Sequence, residues 1–145
     1  MFSKTCEYGI RAVVYIANAS KKNERVRLKE IIKEIDAPEA FTAKILQLLA
    51  KNNIIDSVKG PSGGFAMSEE KMQTIMLNEI VFAIDGDKIY NGCGLGLKKC
   101  NDKKPCPLHV QFQVIREDLK NMLTKTSIYN LSDGLEEGTI WLKRD

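Results

Sequence analysis

The segment "LKEIIKEIDAPEAFTAKILQLLAKNNIIDSVKGPSGGFAM", residues 28–67, constrains the fold more than any other part of the chain. Leu28, Ile31, Ile32 and Ile35 recur at the three-and-four spacing of one helix face, and Phe41, Ile45, Leu48 and Leu49 repeat that spacing in a second helix. Between them stands "IDAP". Pro38 lacks the N–H needed to continue the first helix but suits the first turn of the next, and Glu39 then lies near the positive end of that second helix. Two short helices joined by a tight turn make a helix-turn-helix. The continuation "IIDSVKGPSGGFAM" reads as strand, tight loop, strand, with Ile54, Ile55 and Val58 on one side and Phe65 and Met67 alternating on the other. A hairpin that follows a helix-turn-helix is a wing. The second helix of such a unit can enter the major groove of DNA while the wing touches backbone or minor groove.

The flanking sequence frames this unit. Ile10, Val13, Val14 and Ala17 mark a buried N-terminal helix, and "NASKKNERV" ends it. "TIMLNEIVFAIDGD" predicts a further helix with Ile80, Val81 and Ile84 inward and Gly86 as its stop. Residues 87–107 are rich in Gly, Lys, Asn and Pro and read as one long loop. Loops of that length are uncommon in compact domains and are usually functional or disordered. "PLHVQFQVIREDLKNMLTKTSI" then turns strongly helical. Leu108, Phe112, Ile115, Leu119 and Met122 form a heptad-type seam, which predicts packing against the same helix of a second copy. The tail "YNLSDGLEEGTIWLKRD" reads as a short helix that frays. The expected fold is mainly α with a small β-hairpin wing. Residues 1–86 form a winged helix-turn-helix domain, residues 87–107 a cysteine-rich loop, and residues 108–145 a long dimerisation helix with its tail.

The long loop holds three of the four cysteines and leads to the only histidine, spaced Cys93-x6-Cys100-x5-Cys106-x2-His109. The chain has no apolar run long enough to span a membrane and no signal-peptide layout at its start, so the expected location is the cytoplasm. In a reducing compartment a cysteine cluster points to a metal or redox site rather than a disulfide framework. Three thiolates and an imidazole can complete a four-coordinate site for zinc, copper(I) or an iron–sulfur cluster. The wide gaps favour a body larger than one ion, and Lys98, Lys99, Lys103 and Lys104 favour the thiolate form. A thiol redox switch without metal stays open. A catalytic cysteine finds no separate base, so no enzyme activity is expected. Cys6 stands apart on an apolar helix pattern and reads as a small buried hydrophobe. The net charge of +3 is uneven: residues 1–67 hold 11 Lys/Arg against 7 Asp/Glu, which points to a polyanion partner at the N-terminal part.

Taken together, "YGIRAVVYIA", the helix-turn-helix with its "SVKGPSGGF" wing, and the cysteine triplet before a long helix resemble the Rrf2 family of bacterial winged-helix regulators over nearly the whole chain. That resemblance implies a homodimer with crossed long helices on a pseudo-palindromic operator in double-stranded DNA. It implies a repressor whose affinity for that operator responds to redox state, nitric oxide or iron and cluster supply. The implied cofactor is an iron–sulfur cluster, 2Fe–2S, on Cys93, Cys100 and Cys106. His109 matches the histidine of IscR-like members and is the favoured fourth ligand; Glu7, near an acidic residue that other members supply from the partner, is the alternative. The first gap, six residues, is one longer than the family's usual five, and some members bind no metal, so zinc-binding or thiol-redox regulation is the alternative function. The resemblance places DNA contacts at Glu39, Ala40, Thr42, Ala43 and Lys44 on the recognition helix. It adds Lys59, Ser62 and Gly63 on the wing, and Ser3, Lys4 and Tyr8 at the first helix. Phe41, Ile45 and Leu48 are expected in the core.

Overall fold

The structure is a computed structural model that describes residues 1–144. Helix α1 (Lys4–Lys21) starts at Ser3, whose hydroxyl accepts the Cys6 N–H at 3.0 Å. Such a cap satisfies an N–H that has no partner within the helix. Cys6, Gly9, Ala12, Val13, Ile16 and Ala17 are buried along it, and α1 packs against both helices of the helix-turn-helix. These are α2 (Leu28–Ile35) and α3 (Glu39–Lys51). Asp36 turns the chain between them in the left-handed region, at φ 52°. Pro38 follows as the N-cap of α3 and Glu39 as its first residue, where its charge complements the helix dipole. Arg11 donates to the Ile35 carbonyl at 2.9 Å, so α1 also fixes the end of α2.

The wing consists of β1 (Asp56–Val58) and β2 (Gly64–Ala66), antiparallel, with Asp56 opposite Ala66 and Val58 opposite Gly64. Val26 extends it: the Val26 and Phe65 N–H groups each donate to the other's carbonyl, at 3.1 and 2.7 Å. The strand expected from Ile54 begins two residues later. Ile54 and Ile55 are both buried in the core. Adjacent side chains that both point inward break the alternation a strand requires.

Helix α4 (Glu69–Thr74), capped by Ser68, precedes α5 (Leu77–Asp85), which ends at Gly86 with φ 75°. The helix expected from Thr74 starts at Leu77 instead, because residues 75–77 are engaged elsewhere. The Leu77 N–H donates to the Thr126 carbonyl at 2.8 Å, and the Ile128 N–H donates to the Ile75 carbonyl at 3.1 Å. The loop begins with one helical turn, α6 (Lys88–Asn91), and leads into α7 (His109–Lys125) and α8 (Ile128–Leu131). Leu123 of α7 and Ile128 of α8 are fully buried in the same core as Ile16, Ile31, Leu46 and Ile80. The tail expected to fray is docked. Arg11 reaches the Leu142 carbonyl at 3.5 Å, Lys143 reaches the Lys33 carbonyl at 3.3 Å, and Lys21 pairs with Asp133 at 3.0 Å. No helix among the described residues is long and apolar enough to cross a membrane.

Cys6 lies in this core as its sequence setting implied. Burial first, and the Asp85 carboxylate next, push its thiol from 9.0 up to about 12. The folded state therefore keeps a neutral thiol where the unfolded chain ionises, and this contribution to stability is lost as pH climbs from about 9 toward 12. In metal-free protein near neutral pH, iodoacetamide should modify the three loop cysteines and spare Cys6 until denaturant is added. Peptide mass mapping checks this; labelling of Cys6 in the folded protein at the loop's rate would refute it.

Candidate DNA interface and cysteine site

Helix α3 divides cleanly by exposure. Thr42, Ile45, Leu46 and Leu49 are buried, while Ala40, Lys44 and Gln47 are exposed and Ala43 is half-buried. Ala40, Ala43, Lys44 and Gln47 thus share one outward face. Gln47 was not singled out from the sequence, although its place three and seven residues after Lys44 and Ala40 is the signal that marks it. Its amide can pair with an adenine edge. Glu39 is exposed beside this face.

Several residues assigned to DNA have other partners. Thr42 is fully buried and its hydroxyl donates to the Pro38 carbonyl at 2.7 Å, so it braces the start of α3 instead of reading a base. Gly63 is buried, and a β-carbon there would meet the Val58 carbonyl oxygen at 2.1 Å; its smallness closes the wing. The Ser3 hydroxyl is taken up by the Cys6 N–H and by Asp85. Lys4 is exposed and paired with Glu7 at 3.3 Å. Tyr8 is half-buried, under the Arg11 guanidinium at 4.9 Å and edge-on to Phe41 at 6.0 Å. Phe41, expected in the core, is 43% exposed, since it lies at the outer edge of the buried face of α3, beside Tyr8; Leu48 is half-buried and Ile45 buried. Lys59 and Ser62 are exposed at the wing tip. Arg27 donates to the Gly60 and Pro61 carbonyls and holds that tip to the start of α2. A groove of about 600 Å³ runs between them, with Arg27, Lys29 and Lys59 on its walls.

In the loop, the sulfur atoms of Cys93 and Cys106 lie 3.7 Å apart, and Cys100 Sγ lies 3.3 Å from His109 Nδ1. The four donors therefore stand in two pairs. Among the described residues no three His, Cys, Asp or Glu side chains gather round one point. His109 is buried at the start of α7, and its Nε2 meets Asp102 Oδ1 at 2.8 Å. A carboxylate on one ring nitrogen leaves the other ring nitrogen as the lone-pair donor. The Leu95 backbone N–H, at 3.4 Å, then that of Leu97, and further the neighbouring Cys106 and the Arg116 charge, hold the Cys93 thiol below the usual thiol range. Arg116 donates to Cys100 Sγ at 3.2 Å and to the Gly92 carbonyl at 2.6 Å. Asp102 and Arg116 were not expected from the sequence; one is an ordinary loop charge and the other an ordinary helix charge until the fold brings both to the cysteines. Glu7 lies on α1, paired with Lys4.

Phe112 and Leu119 of the expected seam are half-buried against their own chain, Phe112 over Gly94. Leu108, Ile115 and Met122 are exposed, together with Val110 and Val114. The inward face of α7 carries His109, Phe112, Arg116, Leu119 and Leu123, and an apolar surface remains on the other side.

Comparison with known proteins agrees with the winged-helix fold. The Rrf2 family model, described as an iron-dependent transcriptional regulator, matches residues 2–134. The chain belongs to the Rrf2 family. A helix-turn-helix transcriptional regulator of Aquifex aeolicus is 30% identical over 133 residues, covering 90% of each chain. The regulator IscR of Photorhabdus laumondii is 23% identical over 129 residues, 89% of this chain and 77% of that one. Among solved structures, CymR, the global cysteine regulator of B. subtilis, superposes with a TM-score of 0.73 at 20% identity, covering 91% of this chain and 95% of that one. IscR of T. potens gives 0.72 at 17% identity over 97% and 91%. This Rrf2 chain is a transcription regulator with the winged-helix fold of those proteins.

The two faces of α3 separate in a paired measurement. Thr42→Val removes an internal hydrogen bond and should lower stability by about 1 kcal/mol while operator affinity stays unchanged. Lys44→Ala should leave stability alone, weaken binding across sequences, and reduce the slope of log affinity against log salt by about 1 for each copy of α3 on the DNA. Thermal melts and DNA titrations at several salt concentrations provide both numbers.

Proposed function

We propose that the chain is a homodimeric regulator, acting as a repressor, whose operator affinity is set by an iron–sulfur cluster on Cys93, Cys100, Cys106 and His109. The observation that carries this reading is the pairing of donors. Two thiolates bound to one tetrahedral metal at about 2.3 Å lie about 3.8 Å apart. The Cys93–Cys106 separation of 3.7 Å matches, and Cys100 with His109 makes a second pair at 3.3 Å. Two pairs suit a two-iron, two-sulfur centre, with one pair to each iron, better than a single zinc ion that needs all four donors round one point. His109 is held ready by Asp102, which favours it over Glu7 as the fourth ligand. A bound cluster would supply an oxidant-sensitive one-electron centre.

The protein's own groups supply the rest. The exposed apolar residues of α7 (Leu108, Val110, Val114, Ile115 and Met122) would pair with the same helix of a second copy. Two α3 helices then face successive major grooves, with Ala40, Ala43 and Gln47 at base edges. Lys44, Lys59 and Arg27 lie toward phosphates. His109 and Arg116 are on α7, so order in the loop bears directly on the helix that would space the two reading heads. A coupling of about 1–3 kcal/mol between cluster and DNA is the usual scale for such a switch.

A second reading has its own support. Cys93 and Cys106 are close enough to approach disulfide geometry after a small movement, and Cys93 has the lowered pKa of a reactive thiol. Thiol oxidation without metal would then be the signal.

Anaerobic purification distinguishes the two readings. The cluster reading expects visible absorption with two irons and two sulfides per chain, and different operator affinities with and without the cluster at fixed salt. Colourless protein that forms a Cys93–Cys106 disulfide under mild oxidant would support the thiol reading instead. His109→Ala should lose the cluster and Glu7→Gln should keep it; the reverse pattern would move the fourth ligand to Glu7.

A further inference from the structure

Arg116 is 8% exposed, and among the described residues no carboxylate lies within ion-pair distance of it. Its Nη1 donates to the Gly92 carbonyl at 2.6 Å and its Nη2 to Cys100 Sγ at 3.2 Å, while its Nε is buried with no partner. Lone buried charges are costly, and native proteins hold them where an opposite charge faces them. The facing groups here are a carbonyl and sulfur. The fork spans the loop, gripping it just before Cys93 and again at Cys100. It does so from the middle of α7, about two turns beyond His109.

We propose that Arg116 is the positioning residue of the cysteine site: its guanidinium fork fastens the loop to α7 at two points, and its charge balances the anionic sulfur centre held there. This rests on the reading of the loop as a cluster site. Packing alone would be served by an apolar side chain. The planar two-pronged donor set and fixed positive charge are what arginine adds. A bound cluster would become more negative by one charge on one-electron reduction, the electron coming from an external reductant such as dithionite. A neighbouring guanidinium favours that step.

The test compares wild type with Arg116→Lys and Arg116→Gln in the full chain. Two readouts separate the two roles. The first is the midpoint potential of anaerobically isolated protein, followed by visible absorption during dithionite titration. Arg116→Gln should lower it, and Arg116→Lys, which keeps the charge, should hold it near wild type. The second is backbone amide exchange of residues 92–100 in cluster-free protein. Both variants should exchange about tenfold faster or more, since neither side chain can grip both Gly92 and Cys100. Unchanged amide exchange in α1 and α3 of each variant shows that the fold is retained. An unaltered potential in Arg116→Gln, or an equal fall in Arg116→Lys, overturns the charge role. Unaltered exchange at 92–100 overturns the anchoring role. If wild type isolates without any cluster, the cluster reading fails, and the exchange measurement alone upholds or overturns Arg116 as the loop's anchor.

Discussion

At Gly9, α1 crosses its neighbours so closely that a β-carbon would fall 2.4 Å from Ile84 Cδ1 and 3.3 Å from Ile45 Cγ2. Gly9 thus marks a close approach of α1 to α3 and α5, with side-chain atoms of Ile45 and Ile84 filling the place of its missing side chain. Ala12, Val13, Ile16 and Ala17 continue the same close-packed face, and every side chain there is small or branched. The recognition helix lies on this surface through Ile45, Leu46 and Leu49, and α5 lies on it through Ile80 and Val81. Because packed interiors resist sliding, the angle at which α3 presents Lys44 and Gln47 is fixed by α1 rather than by the helix-turn-helix alone. The same helix carries Arg11, which ties down the end of α2 and the tail together.

The wing is secured by a separate device. A two-stranded hairpin is marginal in water by itself. Here Val26 adds a bridge to the other edge of β2 at Phe65, and Arg27 holds the loop tip through its carbonyls. Gly64 reaches Val26 so closely, at φ 139°, that a β-carbon would lie 2.8 Å from the Val26 carbonyl oxygen. Wing and α2 are therefore joined at both ends of the hairpin, which places Lys59 beside the start of α2.

The winged helix was legible because its signals are local: two amphipathic runs, one proline between them and a glycine-rich turn. Apolar spacing also identified α7, but it could not say which apolar residues face which partner. Phe112 and Leu119 satisfy a dimer seam and an intrachain face equally well on paper. Only the fold shows that they lie with Arg116 and Leu123 toward the chain's own body. Thr42 was misplaced for a related reason. Threonine near the start of a recognition helix suits either a base or its own carbonyl, and the choice depends on which way α3 rolls against α1. The cysteine triplet and His109 stood out by residue type. Asp102 and Arg116 did not, since a charge gains meaning there only from what the loop brings within 3 Å of it.

Helix α7 therefore carries two surfaces with different partners: one meets its own chain and the cysteine loop, the other is exposed. The inward side holds the loop through His109, bound to Asp102 and Cys100, and Arg116, bound to Gly92 and Cys100, with the apolar Phe112, Leu119 and Leu123 on the same face. Exposed elsewhere on the helix are two apolar stripes, Leu108, Ile115 and Met122 at seven-residue spacing and Val110 and Val114 at four. Exposed apolar patches of this kind mark interaction surfaces. A helix cannot turn one side without turning the other. Leu123 and the backbone pairing around Thr126 and Ile128 fix its far end to the core, so any rotation driven by the loop is largest near His109. In the proposed dimer that end carries Leu108 and Val110. Sulfur chemistry in the loop would thus act first on the part of the dimer contact nearest to it, and the winged heads would feel the change through α5 and α7, which pack together.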